Sequence, residues 1–105
     1  MNKLAKKPRN ENLYKAILSL ETLEECMDFF DDLCTVQELM AMEQRYQVAY
    51  YLDNGMIYND ILAETGASSA TISRVNRSLQ YGKGGYSTVF GRIKPPKDTD
   101  KDSAE

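Results

Sequence analysis

The segment from residue 35 to about residue 53 constrains the fold more than any other part of the sequence. It opens with TVQE, a capping box in which a threonine hydroxyl and a glutamate carboxylate satisfy free amides at a helix start. Gly55 is suited to end this helix, and the stretch VAYYL at residues 48–52 is apolar on every side. Such a helix either runs through the middle of the domain or is covered by a second chain. Because 105 residues leave little else to surround it, we favour a second chain.

The other patterns before residue 55 are also helical. Leu13, Ile17 and Leu20 are spaced for one face of a first helix that begins near residue 10. A second capping box, TLEE at residues 22–25, opens a further helix with the apolar stripe of an amphipathic helix. The stripe consists of Leu23, Cys26, Met27, Phe30, Leu33 and Cys34. No segment alternates with the period of a strand, so the predicted class is an all-α helical bundle.

One domain of this class is expected at residues 10–92. A flexible basic arm is predicted before it at residues 1–9, and a disordered tail after it at residues 93–105. The sequence YGKGGY at residues 81–86 is a Gly-rich break, and the STVFGRI that follows allows at most one or two helical turns. The N-terminus lacks the apolar core of a signal peptide, and no apolar run is long enough to span a membrane. We therefore expect a cytoplasmic protein with no membrane partner.

The composition argues against an enzyme or a metal site. The chain has no histidine, so the usual zinc spacings and the commonest general base are missing. No serine or cysteine lies in a recognisable nucleophile motif. Cys26 and Cys34 are too few for a disulfide framework, and we interpret both as small buried hydrophobic residues. No cofactor is predicted from the residues themselves.

The charges are distributed unevenly along the chain. The formal net charge is −3, but residues 1–9 carry +4, residues 10–54 carry −8, residues 55–94 carry +3 and the rest −2. A basic segment joined to an acidic body gives an oriented molecule, because phosphate is attracted to one part and repelled by the other. The basic segment is therefore the expected nucleic-acid-binding part.

That basic segment contains the pattern of a helix-turn-helix at residues 58–80. Gly66 lies where the turn needs a residue that tolerates a positive φ, and Ser68 is placed to cap the second helix. The inward positions that lock such a pair together are Ile61, Ala67, Ile72 and Val75. The N-terminal face of the second helix is small and polar, which suits approach to base edges in the major groove. That face consists of Ser69, Ala70, Thr71, Ser73 and Arg74.

Two short helices joined at a glycine also occur in small domains that bind no DNA. Here the serine and threonine run, the nearby arginines and the local positive charge favour DNA binding. The segments TVQELMAMEQRYQVAYYLDNGM and ILAETGASSATISRVNRSL resemble the Trp repressor family, and YGKGGY is similar to its YerC/YecD branch. The resemblance covers about residues 10–92. It implies an intertwined all-helical homodimer whose N-terminal helices form a shared core, with a helix-turn-helix on each side.

The resemblance also implies an effector pocket. In the Trp repressor family two arginines flank the tryptophan corepressor, and Arg45 and Arg74 match them. Thr35, Thr71 and Ser78 match neighbouring pocket positions, whereas Val75 stands where the family has a glycine against the indole. We therefore expect L-tryptophan to bind weakly or not at all, and a smaller amino-acid-like effector to be the alternative. An ion pair for Arg45 and a phosphate contact for Arg74 are the other interpretations.

We predict a homodimeric, sequence-specific DNA-binding regulator, acting as a repressor on a double-stranded operator. The basic DNA contacts that the family has on the first helix of the motif become Asn59 and Leu62 here, so any operator differs. The predicted DNA-binding residues are Asn59, Ser68, Ser69, Ala70, Thr71, Ser73, Arg74, Arg77 and Lys83. The alternative is a dimeric protein-interaction module that keeps the fold without specific DNA binding. Single-stranded RNA binding rests only on Tyr81 and Tyr86 as stacking residues.

Overall fold

The computed structural model describes residues 8–93, and that part of the chain contains six helices and no strand. The predicted all-α class is confirmed. The helices are α1 (Glu11–Leu18), α2 (Leu23–Leu33), α3 (Val36–Asp53), α4 (Tyr58–Thr65), α5 (Ser69–Tyr81) and α6 (Gly85–Ile93). The chain divides into two compact units, Met1–Leu39 and Met40–Glu105. None of the helices between residues 8 and 93 is long and apolar enough to cross a membrane.

Both predicted capping boxes are present. At the start of α3, the amide of Thr35 donates to the Glu38 carboxylate at 2.8 Å, and the amide of Glu38 donates to the Thr35 hydroxyl at 3.1 Å. At the start of α2, the Thr22 hydroxyl accepts from the amide of Glu25 at 3.0 Å. The Glu25 carboxylate reaches the amide of Glu21, one residue before the cap, at 2.9 Å. These bonds pair amides that a helix start leaves free.

The first unit exposes its apolar side chains. Within residues 8–39 no residue is buried, and the stripe on α2 leaves Leu23 75% and Met27 58% exposed. Cys26 and Cys34 are only half-buried, so the prediction that both are buried is wrong for the single chain. The reason is that they lie on the same open stripe. An amphipathic helix whose apolar face stays open needs a partner for that face.

The second unit contains the core. Its buried residues are Val48, Ala49, Ile61, Ala67, Ile72, Val75 and Phe90. The single chain thus buries Val48 and Ala49 by itself, so this part of the apolar stretch at residues 48–52 needs no second chain. Tyr50, Tyr51 and Leu52 are half-buried and pack against the core. The apolar end of α3 was expected either to run through the middle of the domain or to be covered by a second chain. The burial of Val48 and Ala49 agrees with the first alternative, because it is provided by their own unit.

Helix α6 begins earlier than predicted. The seven residues of STVFGRI form about two helical turns, the most that the sequence predicted, and Gly85 and Tyr86 of the Gly-rich break extend the helix to Gly85–Ile93. Phe90 explains its formation, since the ring is 3% exposed and lies 5.6 to 5.8 Å from the rings of Tyr46, Tyr50 and Tyr86. Ring pairs at such distances stabilise beyond their buried area. Of the predicted arm and tail, residues 1–7 and 94–105 lie outside the described residues, and Ile93 ends α6.

Candidate nucleic-acid interface

The turn between α4 and α5 has the predicted geometry. Gly66 ends α4 with φ 71°, and its amide donates to the carbonyl of Leu62 at 2.9 Å. A side chain at this φ is strained, so glycine suits the position. The four inward residues predicted to lock the helix pair are all buried, at 0 to 3% exposure. The helix-turn-helix prediction at residues 58–80 is therefore confirmed as a structural motif.

Hydrogen bonds around Thr65 fix the turn. Its hydroxyl donates to the carbonyl of Ile61 at 2.7 Å and accepts from the amide of Ala67 at 3.1 Å. The side-chain amide of Gln44 on α3 donates to the carbonyl of Thr65 at 3.1 Å. Gln44 therefore ties the long helix to the turn. Sequence reasoning missed it, because its partner is a backbone carbonyl 21 positions away and no local pattern distinguishes it from its polar neighbours.

Ser68 caps α5 as predicted. Its hydroxyl accepts from the amide of Thr71 at 3.1 Å and donates to the Thr71 hydroxyl at the same distance. Thr71 is half-buried, and its hydroxyl keeps its own proton as a donor. These two residues therefore hold the N-terminal turn of α5 in place, in addition to the DNA-binding role predicted for them.

The outward face of α5 is polar and basic. Ala70, Ser73, Arg74 and Arg77 recur at intervals of three and four, so they share the face opposite the buried Ile72 and Val75. The predicted DNA-binding residues that are exposed are Asn59, Ser68, Ser69, Ala70, Ser73, Arg74, Arg77 and Lys83. Within residues 8–93, the two arginines make no hydrogen bond or ion pair. Both guanidinium groups are thus available to a ligand.

Comparison with known proteins shows which proteins this chain is similar to. The family model of the Trp repressor protein matches residues 9–94. The uncharacterized protein YerC of Bacillus subtilis (strain 168) is 51% identical over 84 residues, which cover 80% of this chain and 81% of YerC. A TrpR-like protein from Eubacterium eligens ATCC 27750 is 50% identical with a TM-score of 0.82, covering 90% of this chain and 97% of that one. A candidate Trp repressor from Staphylococcus aureus is 46% identical at the same TM-score, covering 90% of this chain and 96% of its own.

This chain belongs to the Trp repressor family. The identity to YerC supports the predicted YerC branch, and the solved relatives confirm the all-helical fold. Members of the Trp repressor family are regulatory DNA-binding proteins and not enzymes. This agrees with the prediction, made from the composition, that the protein is not an enzyme.

The residues that match the effector pocket of the Trp repressor family differ in their surroundings. Arg45 and Ser78 are exposed, and Val75 is 2% exposed within the core. Arg74 and Ser78 both line an open groove of about 250 Å³ together with Arg77, Tyr81 and Gly82, whereas Arg45 and Val75 do not line it. The Thr35 hydroxyl is occupied in the capping box of α3. Only two of the six predicted pocket residues therefore share this groove.

Proposed function

We propose that this protein is a cytoplasmic homodimeric repressor that binds a specific DNA operator through residues 58–80. The observation that carries the proposal is the exposed face of α5, on which Arg74 and Arg77 are unpaired within residues 8–93. Small residues beside them, such as Ser69 and Ala70, leave room for the edges of base pairs. This combination suits a helix that lies in the major groove, with the arginines reaching bases or phosphates.

The charge distribution supports the same orientation on DNA. Residues 55–94 carry a formal +3 and contain the whole helix-turn-helix, whereas residues 10–54 carry −8. Phosphates attract the first segment and repel the second, so electrostatics favours approach by α5. A protein-interaction module has no need for an unpaired basic face beside small residues, so this observation favours a DNA-binding regulator over the interaction module.

The open apolar stripe of α2 supports a homodimer. Leu23, Met27 and Leu33 are 49 to 75% exposed in the single chain, and a second copy supplies a matching face. In a two-fold dimer each chain contributes one helix-turn-helix, so the operator is expected to mirror that symmetry.

Selection of bound fragments from genomic DNA by the purified protein tests the proposal. The enriched sites are expected to be near-palindromes whose half-sites are spaced by about 10 base pairs or a multiple of that. Parallel selections with and without small amino-acid-like ligands identify an effector. Fragments that share no motif and bind no better than random DNA would argue for the interaction module instead.

Regulation by L-tryptophan is not part of the proposal, because Val75 replaces the glycine of the family pocket. An added branch in a close-packed site usually costs about 1–3 kcal/mol, and the side chain of Val75 is held in the core. We propose that the protein binds DNA constitutively or responds to a smaller amino-acid-like effector held by Arg45 and Arg74. A guanidinium group suits a carboxylate, because it can donate two parallel hydrogen bonds to it.

Calorimetric titration of the unmodified protein with L-tryptophan is accordingly expected to show no micromolar binding. A Val75→Gly variant provides the comparison, although it loses a buried isopropyl group and some helix propensity, so its folding must be checked. Binding gained only in that variant confirms that Val75 fills the space. Micromolar binding by the unmodified protein contradicts the prediction and restores tryptophan as the corepressor.

A further inference from the structure

Gln44 lies where α3 meets the turn of the helix-turn-helix. It is one helical turn before Val48, so it shares the face of α3 that enters the core. Its side chain is half-buried, and its amide nitrogen donates to the backbone carbonyl of Thr65 at 3.1 Å. Only the nitrogen of the side-chain amide can donate to a carbonyl, so this bond fixes the direction in which the amide faces.

The residue that accepts this bond is itself held on both sides. The hydroxyl of Thr65 donates to the carbonyl of Ile61 in α4 at 2.7 Å and accepts from the amide of Ala67 at 3.1 Å. Ser68, the residue after Ala67, caps α5. Any movement of Thr65 relative to α3 therefore moves the start of α5 with it.

The bond adds a direction that the core contacts lack. Val48, Ile61 and Ile72 belong to one apolar cluster, and apolar contacts have no preferred direction, whereas a hydrogen bond weakens steeply as its angle departs from linear. Helix α5 has 13 residues. It is thus about 20 Å long, and a rotation of about 10° at the turn displaces its far end by about 3 Å. Hydrogen bonds to base edges require distances of about 2.7–3.2 Å, so such a rotation breaks some of them.

We infer that Gln44 is a positioning residue for DNA recognition, whose bond to Thr65 sets the angle of α5 on α3 without an effector. Gln44 acts through the turn and needs no contact with DNA. The inference rests on the proposed function, because it concerns the angle at which the same helix meets the duplex. Of the two forms of regulation proposed above, it selects constitutive binding, since the chain itself supplies the constraint.

Gln44→Met tests the inference, because methionine has a similar length and no hydrogen-bond donor that could reach the carbonyl. Affinity is measured by fluorescence anisotropy for a duplex taken from the genomic selection and for a random-sequence duplex. Loss of one hydrogen bond is expected to lower the fraction of correctly angled α5 about fivefold, and affinity for the selected duplex falls by that factor for each α5 that binds. Affinity for the random duplex is expected to stay unchanged, since attraction to phosphates depends little on the angle of one helix.

Gln47→Met is the matched control. Gln47 is also a half-buried glutamine of α3, but it makes no hydrogen bond through its side chain within residues 8–93. This variant is expected to bind both duplexes like the unmodified protein. Thermal unfolding shows whether each variant is folded. If Gln44→Met does not fold, Gln44→Asn takes its place, because the shorter side chain keeps the amide but does not reach Thr65.

The angle itself is measured by residual dipolar couplings of the backbone amides, without DNA or any small molecule. In the unmodified protein α3 and α5 are expected to fit a single rigid orientation. In Gln44→Met the couplings of α5 are expected to shrink relative to those of α3, because α5 then samples several angles. A residue that only stabilises the fold would lower the unfolding temperature and leave this ratio unchanged.

The outcomes separate this inference from the proposed function. If Gln44→Met keeps both the preference for the selected duplex and the α5 couplings, the inference is wrong and the proposed function stands. Equal losses on the two duplexes, or equal losses in Gln47→Met, also overturn it. Shrunken α5 couplings in the unmodified protein without a ligand contradict a constraint supplied by the chain. If the unmodified protein prefers no duplex over random DNA, the proposed function is wrong and the inference falls with it.

Discussion

Leu33→Asp is expected to unfold the protein, although Leu33 is 49% exposed in the single chain. In the proposed homodimer the second copy buries the apolar stripe of α2, so an aspartate there places an unpaired charge in the shared core. Folding and assembly are then one process, so the variant has no stable folded monomer. Circular dichroism measures the loss as disappearance of the helical signal at low micromolar concentration.

Gln37→Asp is the matched control, since it adds the same charge at an exposed polar position of α3 and is expected to stay folded. Sedimentation equilibrium of the unmodified protein is expected to give about twice the chain mass of 11.9 kDa. A folded monomer of the unmodified protein contradicts the homodimer, whereas a folded monomer of Leu33→Asp contradicts the coupling of folding to assembly.

Replacing Arg74 and Arg77 together by alanine is expected to lower operator affinity about thirtyfold or more. Each arginine is exposed on the outward face of α5, and each bidentate contact of an arginine with a base contributes about 1–3 kcal/mol. The helix itself is expected to remain folded, because neither side chain lies in the core and alanine favours helices. Fluorescence anisotropy with a duplex taken from the genomic selection measures the affinity.

Lys83→Ala provides the comparison for that double variant. This exposed lysine follows α5, and its loss is expected to weaken binding to all sequences alike and to reduce the salt slope by about one. An unchanged affinity in the double arginine variant would contradict DNA binding through α5. The interaction module would then become the better interpretation.

The features that the sequence alone determined depend on interactions between residues close together along the chain. Thr22, Thr35 and Ser68 cap helices through bonds to amides three residues away, so the residues that specify a helix start lie within one short motif. Gly66 ends α4 with a positive φ because its own lack of a side chain permits it. The outward face of α5 follows from the helical period, so its exposed polar residues could be predicted before the fold.

The parts of the candidate site that sequence reasoning missed depend on residues distant along the chain. Gln44 contacts the turn at Thr65 across the space between α3 and α4, and Tyr58 joins Tyr81 in one groove only because α4 and α5 pack together. No periodicity or capping pattern encodes such pairs. They arise when the core residues between the helices set the distance and the angle of packing.

Tertiary packing also decided the length of α6 and which residues cover the apolar end of α3. The Gly-rich sequence YGKGGY predicts a break, but burial of Phe90 against Tyr46, Tyr50 and Tyr86 stabilises a nine-residue helix that begins inside it, at Gly85. The apolar sequence at the end of α3 predicts that other residues cover this end. It does not predict whether they belong to the same chain or to a second one. The structure places Val48 and Ala49 under the chain's own residues and leaves the stripe of α2 open. Local bonds specify where α2, α3 and α5 begin and where α4 ends. Which residues cover an apolar face depends instead on which apolar faces meet in space.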